Sequence, residues 1–181
     1  IIILRTCKSL TMEKTYKHLS LFFVGILLVL LWGFYRTYFS LVPDFKGITN
    51  TMHFHGILML TWLAMLIVQP VLIRKKKLEL HRMIGKLSYL VMPLLLISIF
   101  MVGKSQYIKM NGVVPPPVLN STIALNVPSL LSFAAFYTLA LVYKRPAAFH
   151  MRYMIATSLL LIGPGLGRAL IIYFGMDFEL A

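Results

Sequence analysis

Five histidines and one arginine hold most of the chemistry available to this chain of 181 residues. His53-Phe54-His55 opens one apolar run, His81 and His150 open two later ones, and His18 precedes the first. Imidazole titrates near neutrality and is the commonest protein ligand for transition metals. Arg168 lies inside the last run, in LIGPGLGRALIIYFG, where a charge is costly and marks a functional site or a buried partner. Cys7 is the single cysteine, which excludes disulfides within the chain and any Cys-based zinc or iron–sulfur centre. A metal here must be held by other ligands.

Spacing limits what each histidine can do. On a regular helix, positions i and i+2 are about 200° apart. His53 and His55 can therefore share a copper, iron or zinc ion only if the chain is extended or frayed over residues 52–55. If the helix is regular there, His55, Trp62 and Gln69 fall at heptad spacing and form a polar stripe facing other helices. The alternative is a His and a Trp at the membrane interface with Gln69 hydrogen-bonded inside. His81 and His150 invite a haem b reading, since two imidazoles from facing helices can ligate opposite sides of the macrocycle. A second such pair does not exist, because His53 and His55 share one helix. The plainer alternative for His81 and His150 is a helix-start position near lipid headgroups. From His55 to Arg74 the helix climbs about 28 Å at ~1.5 Å per residue, so no ion serves both ends.

Around Arg168, Pro164 removes a backbone donor while Gly163, Gly165 and Gly167 loosen the chain. A kink or unwinding in the outer third of this run is expected, exposing backbone groups and aiming Arg168 at a carboxylate, a phosphate or a haem propionate. Alternatively Arg168 snorkels to the surface. Asp44, Asp177 and Glu179 are its candidate acidic partners, and no carboxylate lies within any run. A proton- or sodium-coupled carrier would have to work without a membrane carboxylate. Ser88, Ser98, Ser129 and Ser132 lack a His and carboxylate placed to activate them, so a hydrolase is poorly supported. The eleven methionines are scattered and read as gap fillers.

The elements that must position these groups are apolar helices. Hydrophobic residues make up 59% of the chain and charged ones 13%, outside the soluble range. Five runs, roughly 19–35, 54–73, 83–102, 123–143 and 151–174, approach the ~20 residues needed to span a bilayer. The fold class expected is an all-α polytopic membrane helix bundle of about five transmembrane helices. Its parts would be an N-terminal cytoplasmic segment 1–18, the bundle 19–174 and a short outer tail 175–181. Met12-Glu13-Lys14 reads as a natural start, which would set residues 1–11 apart from the native chain. The first run is too long, and is followed by Arg36-Thr37-Tyr38, to read as a cleaved signal.

Charge orients the bundle. Arg5, Lys8, Lys14, Lys17, the cluster from Arg74 to Lys77, Arg82, Lys86, Lys144, Arg145 and Arg152 lie on one side. Only Arg36, Lys46, Lys104 and Lys109 lie on the other. The rule that cytoplasmic loops are basic puts the N-terminus inside and the C-terminus outside. The formal charge of +13 thus reflects topology, and nucleic acid is not an expected partner. The lipid bilayer is, together with a membrane-protein complex or a homo-oligomer. The outer connection 103–121, with Pro115-Pro116-Pro117, is expected to form a semi-rigid extended strap. The turns KKKLELHRMIGK and YKRPAAFHMRYM suggest a faint parallel repeat of two hairpins.

The pattern H-x-H-G, Trp62, Gln69, L-H-R-M-I-G-K and F-H-M-R-Y-M resembles a family of uncharacterised bacterial multi-pass inner-membrane proteins with an H-R-x-x-G turn. It is also loosely similar to haem- or copper-associated helical proteins of respiratory chains. The resemblance covers residues 52–168 and implies functional roles for His53, His55, His81 and His150 without supplying a reaction. The function expected is His-based haem or metal binding in electron transfer or respiratory-complex assembly. The alternative is a non-catalytic accessory subunit, or a membrane protein that binds a small ligand, a quinone or lipid.

Overall fold

The computed structural model describes residues 17–176. Cys7, Arg5, Lys8, Lys14, the proposed start at Met12, and Asp177 and Glu179 lie outside the described residues. Within them the chain is all α, apart from a short 3₁₀ turn at Phe39–Leu41. The helices are α1 Leu19–Phe34, α2 Asn50–Arg74, α3 Leu78–Met110, α4 Pro116–Val142, α5 Ala147–Leu159 and α6 Ile162–Phe174. Four segments are long and apolar enough to cross a membrane: α2, α3, α4, and α5 with α6 taken together as Ala147–Phe174. α1 has 16 residues, about 24 Å of helix, and is apolar but shorter than those four segments. Leu28, Leu90, Ile97, Phe100 and Leu131 point outward and stay more than half exposed, an apolar girdle suited to lipid.

Each segment packs on the next in order, and α6 closes the ring against α1. The core inside holds Phe23, Ile26, Trp62, Leu63, Leu66, Met92, Leu95, Phe133 and Leu161. α1 and α6 run parallel, since Leu30 meets Gly165, Phe34 meets Arg168 and Arg36, just past α1, meets Tyr173. Small residues let them touch: a Cβ on Gly33 would collide with the backbone of Gly165. A Cβ on Gly165 would press within 3.2 Å of the Leu30 Cα. With lipid as apolar as any side chain, such close backbone approach is how membrane helices gain contact.

Local chemistry sets the helix ends, and in two places it departs from expectation. The strap over 103–121 is not formed. Lys104 to Met110 continue α3 to 33 residues, about 50 Å, because no breaker intervenes before Gly112, where φ is 78°. Pro116 and Pro117 occupy the first turn of α4, the one place where a missing N–H costs nothing. The last span does break, but earlier than expected. α5 ends at Leu159 and α6 begins at Ile162, because the Pro164 ring excludes the Leu160 carbonyl four residues before it. Gly163 to Gly167 are helical and expose no unwound backbone. The basic turns are tied down separately, with the Arg74 guanidinium donating to the Lys17 carbonyl at 3.3 Å and the Lys144 ammonium to the Tyr89 hydroxyl at 2.7 Å.

The α1 to α6 contact predicts an asymmetric pair of substitutions. Gly33→Val should force the two backbones apart and cost about 1–3 kcal/mol or more. Gly25→Ala on the same helix, with nothing within 4 Å of its new methyl, should be neutral. Thermal unfolding of the two variants in detergent measures the difference.

Candidate functional site

The α2 stripe organises the interior. α2 is regular from Asn50, capped by the Thr49 hydroxyl accepting from the Met52 N–H at 3.4 Å. His53 and His55 consequently diverge and do not converge on one ion, which corrects the shared-metal reading. His53 turns to the loop after α1, where Nδ1 and the Tyr38 hydroxyl are joined at 2.6 Å and the Phe45 ring packs edge-on at 4.8 Å. His55 turns inward to Ser98 on α3, Nδ1 to Oγ 3.0 Å. The single hydroxyl hydrogen of Ser98 goes to the Leu95 carbonyl at 2.7 Å, so toward His55 it accepts. That assigns the proton of His55 to Nδ1 and leaves Nε2 a bare lone pair.

One heptad further, Trp62 is fully buried, its ring edge-on to Tyr137 at 5.7 Å and tilted against Phe133 at 6.0 Å. Its indole N–H finds no partner among the described residues. The Tyr137 hydroxyl lies 2.8 Å from Ser88 Oγ, and Ser88 in turn donates to the Gly85 carbonyl at 2.6 Å. Tyr137 is therefore the donor of the pair.

Two turns beyond Trp62, the Gln69 amide donates to the His81 backbone carbonyl at 3.2 Å, and its Oε1 is buried without a partner among the described residues. The Nδ1 of His81 is likewise buried and unpartnered among them. His150 lies in the first turn of α5, at the same basic end of the bundle. Its Nδ1 donates to the Ala140 carbonyl at 2.7 Å, because a carbonyl can only accept. Nε2 of His150 is left as a lone pair, the arrangement that metal-binding histidines take when a backbone oxygen fixes their tautomer. Gln69 and His81 thus join α2 to α3 at the basic end, where His150 also opens α5.

Arg168 belongs to the other end. Its guanidinium lies over the Phe34 ring at 4.7 Å, a cation–π contact, and Arg36 lies over Tyr173 at 6.0 Å. About 27 Å of helix separates Arg168 from His150. It cannot serve a haem propionate beside His81 and His150, which corrects its grouping with them. Among the described residues no group of three or more His, Cys, Asp or Glu converges in the manner of a metal site. Ser88, Ser98 and Tyr137 were not legible as partners of the stripe, and their hydroxyls matter only once the helices are docked. No family model matches the chain, and no curated protein or solved structure is found similar to it.

The Tyr137 and Ser88 pair predicts unequal losses. Tyr137→Phe removes one hydrogen bond and leaves Ser88 bonded to Gly85, for about 1 kcal/mol. Ser88→Ala strands the buried phenol and should cost more, up to about 3 kcal/mol. Equilibrium unfolding in mixed micelles, with the double variant closing the cycle, measures both.

Proposed function

We propose that this chain is a multi-pass protein of the bacterial inner membrane whose His81 and His150 hold haem b or a transition metal ion, in electron transfer or respiratory-complex assembly. The observation that carries the reading is the 2.7 Å bond from His150 Nδ1 to the Ala140 carbonyl, which leaves Nε2 open as a ligand at the same end of the bundle as the unpartnered Nδ1 of His81. His81 and His150 would be the ligands, and Gln69 Oε1 a nearby acceptor. When bound, haem, iron or copper would supply one-electron chemistry that no nearby side chain has, and zinc would supply a Lewis acid. Purified protein should show a Soret band, or stoichiometric copper, iron or zinc by elemental analysis. His81→Ala and His150→Ala should each abolish it, and His53→Ala should leave it intact.

A second reading rests on the unpartnered Trp62 Nε1 and Gln69 Oε1. These suit a small polar ligand, such as a quinone headgroup, in a non-catalytic accessory subunit. A colourless, metal-free preparation that retains its fold supports this reading over the first.

The distribution of Lys and Arg supports a cytoplasmic N-terminus and an outer C-terminus. In a Cys7→Ser background, Lys46→Cys should react with an impermeant maleimide added to intact cells. Lys76→Cys should react only after lysis, and the reverse pattern would invert the orientation.

A further inference from the structure

At the end of the bundle opposite the lysine-rich turns, α3 and α4 leave between them a groove of about 330 Å³ open to the side. Its character changes along its length. Ile99, Phe100, Val127 and Leu130 line the deep part, and Lys104, Tyr107, Thr122 and Asn126 line the part nearer the helix ends. Asn126 turns its amide N–H to the Thr122 carbonyl at 2.8 Å, which leaves its carbonyl oxygen beside Gly103. Gly103 keeps the wall low: a Cβ there would rest 3.9 Å from Asn126, and anything longer would enter the groove.

Depth in the bilayer follows from the α2 and α3 register. Ser98 is level with His55 through their hydrogen bond, and Lys104 lies about 9 Å further along α3. That is the level of Thr49 and Asn50, where α2 begins and the membrane segment ends. Lys104 therefore stands at headgroup height above an apolar slot that faces lipid. Among the described residues, no acidic side chain lines the groove.

We propose that this groove seats one acyl chain of an anionic phospholipid, with the Lys104 ammonium on its phosphate and Tyr107 and Asn126 near its ester region. The gradient from hydrocarbon to cation selects this occupant. A neutral helix from a partner would leave Lys104 without a counter-charge, and a free anion would leave the apolar floor empty. The proposal goes beyond the histidine reading and does not depend on it.

Native mass spectrometry tests it on the full chain in detergent, with equal dioleoyl phosphatidylglycerol or dioleoyl phosphatidylcholine added. One phosphatidylglycerol should be retained in preference to phosphatidylcholine. Lys104→Gln should weaken phosphatidylglycerol about fivefold, to the level of phosphatidylcholine. Gly103→Leu should expel both lipids, and Lys46→Gln, at the same end but away from the groove, should change neither. Lys104→Gln is a surface change that leaves packing untouched, so it decides the matter even if Gly103→Leu misfolds. Equal retention of the two lipids by the parent chain overturns the proposal. So does undiminished phosphatidylglycerol on Lys104→Gln, or a lipid-free dimer joined through this face.

Discussion

A polar atom inside this bundle has no water to turn to, so it must find its partner on its own helix or on the neighbouring one. Four buried hydroxyls meet that constraint in the same way. Ser88, Ser98, Thr157 and Ser158 each donate to a carbonyl three residues back. A hydroxyl so committed can still accept, and two of them do. Ser98 accepts from His55 and Ser88 from Tyr137, which pins α2 to α3 and α3 to α4. The tautomer of His55 is a consequence of this arrangement and not of any ligand.

The same constraint gives meaning to what is left over. Thr37 Oγ1, Trp62 Nε1, Gln69 Oε1 and His81 Nδ1 are buried without partners among the described residues; Thr37 follows α1 at the opposite end, and the other three lie from the middle of the bundle toward its basic end. An unpaired buried polar atom costs about 1–3 kcal/mol. The bound group proposed above would give Gln69 or His81 a partner, and Thr37 would still lack one. The opposite end is built differently, from rings and guanidinium groups: Arg168 over Phe34, Arg36 over Tyr173, and Trp32 stacked on Tyr173 at 5.6 Å.

Much of the architecture was legible before any contact was known. Long apolar runs can only be helices in lipid, and their order makes neighbours of consecutive spans. The heptad from His55 through Trp62 to Gln69 was also legible, because one helix suffices to put three residues on one face. Errors arose where local rules compete. Pro115-Pro116-Pro117 suggested a strap, yet two of these prolines fit the first turn of α4. Pro164 and the glycines around it suggested a kink in the outer third of the last run, yet the steric effect of the proline falls earlier, at Leu160. His53 and His55 were open between a shared ion and divergence until the Thr49 cap fixed where α2 begins.

Residue types and their order determined by themselves an all-α bundle with membrane-length helices, a basic end and an opposite end, and imidazoles divided between them. Periodicity and hydropathy are local properties, and they are enough for that. Only the tertiary structure decided which hydroxyl meets which imidazole, that Arg168 is far from His81 and His150, and that α1 and α6 touch through Gly33 and Gly165. Those outcomes depend on helix rotation and register, where a shift of one residue turns a side chain by about 100° and changes every partner.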